Sequence, residues 1–246
     1  MHEKYIEKVA QDGFEYIAIY SDGCGAQNKN RFLFTCYLYL LTTTNIKCIE
    51  HKYLEPGHTQ NEGDNMHSVI EGVIDGVDIY TPNQYYALAR SAKCDDNPYH
   101  VKEINQEDII DWKAVGLHKA LSLSWTSTDN LGEKVKWSKI MQVRSVKDHP
   151  YTIFFKYHHG DDDFRHVILK RWNRGRNTIQ LANIPLQCPY DGPIALPLAK
   201  HKDLMQLKNT IIPAAYHHFY DALKAQGDEN TNAEDEESDN SSSDSN

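Results

Sequence analysis

The sequence lacks the features that would carry a protein through or across a membrane. Its longest apolar run, residues 32–41, is ten residues long, whereas a membrane-spanning helix needs about 20. The first residues are charged and have none of the apolar core of a signal peptide. We therefore expect a nuclear or cytoplasmic protein that is not secreted and has no membrane partner.

Cysteine is scarce and widely spread. The five cysteines, at positions 24, 36, 48, 94 and 188, are odd in number and include no Cys-x-x-Cys pair. An odd set of scattered thiols argues against a disulfide framework, and the lack of close pairs argues against a zinc ribbon. We expect the thiols at 24 and 36 to pack as small hydrophobic side chains.

Basic residues are absent from the end of the chain. Residues 227–246 contain eight Asp or Glu, no Lys or Arg and no large apolar residue. Such a segment cannot bury enough surface to fold. Without its eight negative charges, the net charge of the protein changes from −9 to −1. We predict a disordered acidic tail that keeps the protein soluble.

The rest of the chain is long enough to build a sizeable core, since 40% of the 246 residues are hydrophobic. Its patterns predict an α/β fold with the following division. A mixed sheet with helices occupies residues 1–125, a β-rich basic appendage 126–200 and a C-terminal helical segment 201–226, before the tail at 227–246.

The most informative local pattern is an aspartate at the end of a strand. The run Tyr16–Tyr20 predicts a buried strand, and residues 32–41 predict a buried helix. Asp22 follows the strand in a glycine-rich turn, where open α/β sheets bind ligands. The alternative is that Asp22 only caps the helix and the glycines only form the turn.

A second strand-to-turn-to-helix pattern follows. Residues 47–54 predict a strand, which the Pro-Gly pair at 56–57 ends. From Asp64 the pattern predicts a helix whose buried face carries apolar residues at helical spacing. These are Met66, Val69, Ile70 and Val73.

The opposite face of that helix carries candidate metal ligands. Asp64, His67 and Glu71 are spaced by three and four residues and so share one face, with His58 on the preceding loop. Carboxylates and imidazoles are ligands for zinc, and carboxylates with water suit magnesium. The alternative is a solvated polar face in which Asp64 is the helix cap.

These two segments resemble a family. The motifs Tyr-Ser-Asp-Gly-Cys-Gly-x-Gln-Asn-Lys-Asn (20–30) and Gly-His-Thr-x-x-Glu-x-Asp-x-x-His-x-x-x-Glu (57–71) are similar to those of transposable-element-derived proteins of invertebrates. The Tyr-Asp-Gly-Pro-Ile segment at 190–194 is similar too, and the resemblance spans roughly residues 5–224. It implies a partial ribonuclease-H-like (DDE-type) transposase core. The small β-rich appendage and the C-terminal helix that follow it are predicted from the residue patterns.

The resemblance also implies a chemistry. Such cores use three acidic residues around two divalent cations, Mg or Mn, to activate the attacking group and stabilise the leaving oxygen. Asp22 matches the acid of the fourth strand, and either Asp64 or Glu71 matches the acid of the later helix. No residue matches the acid of the first strand, so the resemblance implies a chain that begins in mid-domain and is inactive by itself.

Basic residues concentrate later in the chain. Residues 134–176 include eleven Lys or Arg against four acids, and their strand patterns cover 139–146, 151–158 and 164–170. Bases interleaved with an aromatic suit phosphate contacts and base stacking, and DNA is the expected partner. The alternative is an ordinary surface hairpin. The candidate nucleic-acid residues are Arg165, Lys170, Arg171, Trp172, Arg174 and Arg176.

Three functions therefore remain open from the sequence. The first is a transposase-derived, ribonuclease-H-like domain that is a catalytically incomplete remnant, with Asp22 and either Asp64 or Glu71 as its remaining catalytic acids and metal ligands. The second is a non-catalytic nucleic-acid-binding module that uses the basic hairpin at 165–176. The third is a divalent-metal-binding structural protein, whose ligands would come from His58, Asp64, His67 and Glu71.

Overall fold

The computed structural model describes residues 2–25, 27–55, 57, 62–94, 97–121, 123–125, 128–169 and 179–227. Within these residues it confirms the predicted α/β class. The strands are β1 (Tyr16–Ser21), β2 (Cys48–Tyr53), β3 (Gln142–Val146), β4 (Thr152–Lys156) and β5 (Arg165–Ile168). The helices are α1 (His2–Gln11), α2 (Arg31–Thr43), α3 (Glu62–Ile74), α4 (Pro82–Ser91), α5 (Trp112–Gly116), α6 (Leu198–Thr210) and α7 (His217–Asp221).

The five strands form one mixed sheet in the order β1-β2-β3-β4-β5. β1 and β2 are parallel and are connected through α2, whereas each later pair is antiparallel. The register aligns Ser21, Tyr53, Gln142, Lys156 and Arg165 at or within one residue of a common edge. Three strands end at this edge and two begin there. We call it the Asp22 edge, since Asp22 follows β1 directly.

The hydrophobic core lies between α2 and one face of the sheet. Tyr37 and Leu40 of α2 are fully buried, as are Ile153 and Phe155 of β4. A single cluster of buried side chains includes residues from α1, from α2 and from all of the strands except β1. Ile17 and Ile19 of β1 are partly buried and pack against this cluster. The strands from both halves of the chain therefore share one core.

The prediction that residues 16–20 are buried is wrong, since three of the five side chains are exposed and the other two are half-buried. Tyr16 is 70% exposed and Tyr20 is 58% exposed, because β1 is the edge strand and these rings lie on the face of the sheet opposite α2. Ile17 and Ile19 are half-buried on the α2 side. A continuous apolar run therefore encodes an edge strand with two unequal faces.

The helix predicted from Asp64 is present as α3, but its predicted buried face is not. No described residue of α3 is buried, and Met66 and Val69 are each 43% exposed. Helical spacing of apolar residues predicts the helix correctly. It does not specify whether another element covers the apolar face, because that depends on tertiary packing.

The strands predicted for a separate appendage belong to the main sheet. β3, β4 and β5 fall within the predicted strand regions but are shorter, and β3 pairs directly with β2. The residues before β3 form a 3-10 turn, Trp137–Lys139. The boundary predicted at residue 125 therefore differs from the observed organisation, because hairpin patterns do not reveal which strand a hairpin will join.

The chain is divided into two compact units. The first is formed by Met1–Gly72 and His100–Asp191 and contains the whole sheet; the second is formed by Val73–Tyr99 and Gly192–Asn246. In the second unit, α6 and α7 are separated near Pro213, and the rings of Tyr80 and Tyr216 stack at 5.3 Å. In the described part of the chain, every helix is too short or too polar to cross a membrane.

Candidate nucleic-acid interface

Asp22 lies in an exposed loop that is closed by its own hydrogen bonds. Its Oδ1 accepts from the side-chain amide of Asn28 at 2.6 Å and from the backbone N–H of Cys24 at 3.3 Å. The N-terminus of α2 is capped by Asn30, whose side chain accepts from two backbone N–H groups. Asp22 is therefore not the helix cap, and its carboxylate organises the loop.

A buried polar chain holds the end of β1 against β2. The Nε2 atom of His51 lies 2.8 Å from the hydroxyl of Ser21, and its Nδ1 lies 3.0 Å from the hydroxyl of Tyr37. The hydroxyl of Ser21 donates its one proton to the carbonyl oxygen of Asp22, so it accepts from Nε2–H of His51. Nδ1 of His51 then accepts from the hydroxyl of Tyr37, a group whose pKa is raised by burial.

A second hydrogen bond positions the Asp22 loop on β2. The hydroxyl of Tyr53 donates to the carbonyl oxygen of Asn28 at 2.8 Å, and a ring nitrogen of His159 lies 3.0 Å from the carbonyl oxygen of Tyr53. The loop after β1, the end of β2 and the turn between β4 and β5 are thus joined at the Asp22 edge. The sequence motifs contain Asn28, but they do not indicate these long-range contacts.

The predicted metal ligands do not form a cluster in the described residues. Asp64, His67 and Glu71 are exposed on α3, and His58 lies outside the described residues. Among the described residues, no group of three or more His, Cys, Asp or Glu is placed to hold a metal ion. The catalytic and metal-binding roles of Asp22, Asp64, Glu71, His58 and His67 therefore stay predictions.

Arg165, a predicted nucleic-acid residue, is engaged in ion pairs. Its guanidinium donates to Asp129 at 3.1 Å and to Glu133, and it lies 5.3 Å from the centre of the Tyr157 ring. The Asp129 side chain is fully buried in this contact. Lys170, Arg171, Trp172, Arg174 and Arg176 lie outside the described residues, and β5 reaches its last residue, Ile168, at the opposite edge of the sheet.

Instead, the Asp22 edge brings together basic residues from two distant segments. Lys134, Lys136 and Lys139 are exposed in the segment that leads into β3. Lys29 and Arg31 lie at the start of α2, and Nζ of Lys29 is 3.4 Å from the carbonyl oxygen of Ser138. We call these five residues the basic band.

Two cavities lie along the band. One, of about 330 Å³, is lined by the three lysines of the band that precede β3. Tyr157, His158, Arg165 and Glu133 complete its lining. The other, also about 330 Å³, is lined by Lys29 and Arg31 together with Phe34, Trp125 and Trp137. Glu133 is the acid among these lining residues, and its charge is paired with Arg165. The band therefore presents an excess of positive charge beside aromatic rings.

Lys29 connects the two segments of the band through its contact with Ser138. Its Nζ lies 4.8 Å from the centre of the Tyr53 ring, and burial lowers the pKa of its ammonium group. Sequence reasoning missed the band because Lys29 and Ser138 are 109 residues apart. The Lys-Val-Lys-Trp sequence at 134–137 combines bases with an aromatic residue and is a local signal for the band. The densest cluster of bases, however, lies further along the chain.

Comparisons with known proteins place the chain in a family without assigning an activity. Searches of the curated proteins and of the solved structures each found no match. A family model described as "Domain of unknown function (DUF7869)" matches residues 4–175. The matched region includes all five strands, the Asp22 loop and the basic band. Since it covers more than half of the 246 residues, the chain belongs to the DUF7869 family.

Proposed function

We propose that this chain is a nucleic-acid-binding domain of transposase-derived, ribonuclease-H-like descent that does not cut nucleic-acid strands by itself. The observation that carries the proposal is the basic band, which lies at the same sheet edge as Asp22. In open α/β folds, ligands bind at the ends of parallel strands. A strand bound along the band would therefore pass the loop where the resemblance places a catalytic acid.

The charges of the band support phosphate binding. Lysines and arginines that neutralise phosphates release counterions from the nucleic acid, which supplies most of the affinity of sequence-independent binding. Lys134, Lys136 and Lys139 are exposed, and none of them forms an ion pair with an acid among the described residues. The three lysines line one cavity, and the turn that ends at Lys139 contacts Lys29 through Ser138, so a strand bound along this segment would pass from the lysines to Lys29.

The carboxylates support the non-catalytic half of the proposal. A two-metal mechanism needs acidic ligands that bridge both cations. The described residues do not fit such a centre, because Asp22 is not grouped with two further ligands and its Oδ1 already accepts hydrogen bonds from Asn28 and Cys24. We therefore assign Asp22 the role of holding the loop in which Lys29 lies.

Fluorescence anisotropy with labelled DNA and RNA oligonucleotides tests this function. The full chain should bind with a dissociation constant on the order of 1–100 µM near physiological salt, and the affinity should fall as salt is raised. The same samples, incubated with Mg²⁺ or Mn²⁺ and run on a denaturing gel, should contain intact strands. If the chain does not bind at low salt, the proposed nucleic-acid binding is refuted. If the chain cleaves the strands and Asp22→Asn abolishes the cleavage, the claim that the chain is not catalytic by itself is refuted.

A further inference from the structure

The cavity beside Lys29 has an aromatic interior. Phe34, Trp125 and Trp137 all line it; Phe34 is only 2% exposed, and the two tryptophans are half-buried. The two indole rings are 6.0 Å apart with an angle of 65° between their planes, and the Phe34 ring lies 6.1 Å from that of Trp137. Parts of both indoles are thus open to a ligand rather than enclosed in the core.

The rim of the same cavity is cationic. Lys29 and Arg31 both line it, and Arg31 is exposed. Its volume of about 330 Å³ lies at the lower end of the roughly 300–1,000 Å³ found for small-ligand pockets. A planar, aromatic group that is linked to an anion matches this combination, since the ring contacts the indoles while the anion contacts the cations.

We propose that this cavity holds one base of a single-stranded nucleic acid, with Trp137 as its stacking partner and with Lys29 and Arg31 on the flanking phosphates. The proposal rests on the proposed nucleic-acid-binding function and adds a substrate preference to it. Bases in a duplex are already paired and stacked, so only a single strand offers a free base face to an indole. The band provides the phosphate contacts on either side of that base.

The position of the cavity along the band fits this occupant. Trp137 is the first residue of the 3-10 turn Trp137–Lys139, and Lys136 immediately precedes that turn. The carbonyl of Ser138 in the same turn contacts Lys29. A nucleic-acid strand that follows Lys136 and Lys139 therefore reaches the aromatic cavity within a few residues of the turn. Its phosphates complement the charge of these lysines and of the cationic rim of the cavity.

The alternative is that Trp125, Trp137 and Phe34 only close the hydrophobic core. In that case their replacement would affect stability but would not change the preference between single strands and duplexes. The two accounts predict different ratios of the affinity for the single strand to the affinity for the duplex. This ratio does not depend on how much the variant is destabilised, as long as the variant is folded.

The test compares the binding of a 12-nucleotide single strand and of its duplex by the wild type, Trp137→Leu and Trp137→Phe. The wild type should prefer the single strand. Trp137→Leu should weaken single-strand binding about ten-fold, in the range measured for lost base stacking, and leave duplex binding within two-fold. Trp137→Phe should recover most of the loss, because a phenyl ring still stacks. Trp112→Leu is the matched control, since Trp112 packs against Tyr39 outside the cavity.

A second measurement uses the unaltered protein. A single strand that carries one 2-aminopurine should lose fluorescence on binding, because the base stacks on an indole, and the same base within a duplex should not. The base-binding cavity would be overturned if Trp137→Leu lowered the affinity for the single strand and for the duplex equally, or if the wild type did not quench 2-aminopurine. The nucleic-acid-binding function would stand in either case. Absence of binding to either form at low salt would overturn both.

Discussion

The ammonium group of Lys29 lies 3.4 Å from the carbonyl oxygen of Ser138. This contact joins the loop that follows β1 to the turn that precedes β3, and it places bases from both segments on one surface. The pairing of β2 with β3 makes the contact possible, because Lys52 of β2 is aligned with Gln142, the first residue of β3. The candidate interface is thus a product of sheet topology.

The buried chain through His51 should contribute to stability. Tyr37→Phe removes the hydroxyl that donates to Nδ1 of His51, a side chain that is fully buried. A buried acceptor that loses its donor costs about 1–3 kcal/mol. We expect urea denaturation to show this loss in the free energy of unfolding for Tyr37→Phe. Tyr16→Phe, at a ring that is 70% exposed, should change it by less than about 0.5 kcal/mol.

The ion pair around Arg165 should make stability depend on pH in the acid range. Burial raises the pKa of Asp129, but hydrogen bonds from the backbone N–H of Glu133, from Arg165 and from the backbone N–H of Leu131 outweigh it and hold the pKa below its usual value. A carboxyl with a lowered folded-state pKa stabilises the protein above its unfolded pKa of about 3.9. This stabilisation is lost as the pH falls through the folded-state pKa.

Asp129→Asn tests that dependence. The stability difference between the wild type and this variant should be constant from pH 7 to about pH 5 and should shrink as the pH falls below about 4. Asp12→Asn is the control, because Asp12 is exposed. A difference that stays constant down to pH 2 would show that the carboxylate charge of Asp129 does not stabilise the fold.

Divalent cations should not bind through Asp22 with appreciable affinity. Asp22 offers one exposed carboxylate whose Oδ1 is occupied by two hydrogen bonds, and the described residues place no pair of further ligands beside it. Titration calorimetry with Mg²⁺ and Mn²⁺ should therefore give the same weak signal for the wild type and Asp22→Asn at millimolar metal. Binding that Asp22→Asn removes would show a metal site and would reopen the catalytic role.

The acidic tail should oppose nucleic-acid binding. Residues 227–246 carry eight acids and no bases, so they repel phosphates and compete with them for the basic band. A chain in which these acids are replaced by Asn and Gln should bind a single strand several-fold more tightly at low salt. The gain should vanish at high salt, where the charges are screened. A gain that persists at high salt would argue against competition by charge.

The sequence predicts the β1–α2–β2 unit because its signals are local. An apolar run, a glycine turn and a second apolar run indicate strand, loop and helix, and they place Asp22 correctly after β1. The exposure of Tyr16 and Tyr20 could not be predicted, since it depends on β1 being the edge strand. The exposure of α3 has a similar cause, because no local pattern reports whether another element packs on its apolar face.

The candidate interface is harder to predict for a related reason. Arg165 belongs to the densest run of bases, yet two acids from residues 129–133 pair with it. Lys134, Lys136 and Lys139 attract less attention in the sequence, yet they line one cavity in the fold, and the turn that ends at Lys139 contacts Lys29. A count of charges along the chain cannot separate a guanidinium that is paired from an ammonium group that is exposed, because the partners are distant in sequence.

The most direct test of the central claim is the salt dependence of single-strand binding by Lys29→Glu/Lys136→Glu and by Lys8→Glu. Lys8 is an exposed lysine in the last turn of α1, which leads into the opposite end of β1. We predict that the double variant loses most of the affinity and that the slope of log K against log salt becomes shallower by about 1.4, since two phosphate contacts are lost and each contributes about 0.7 on a single strand. Lys8→Glu should change neither value appreciably. Equal effects of the double variant and of Lys8→Glu would contradict the basic band as the nucleic-acid interface.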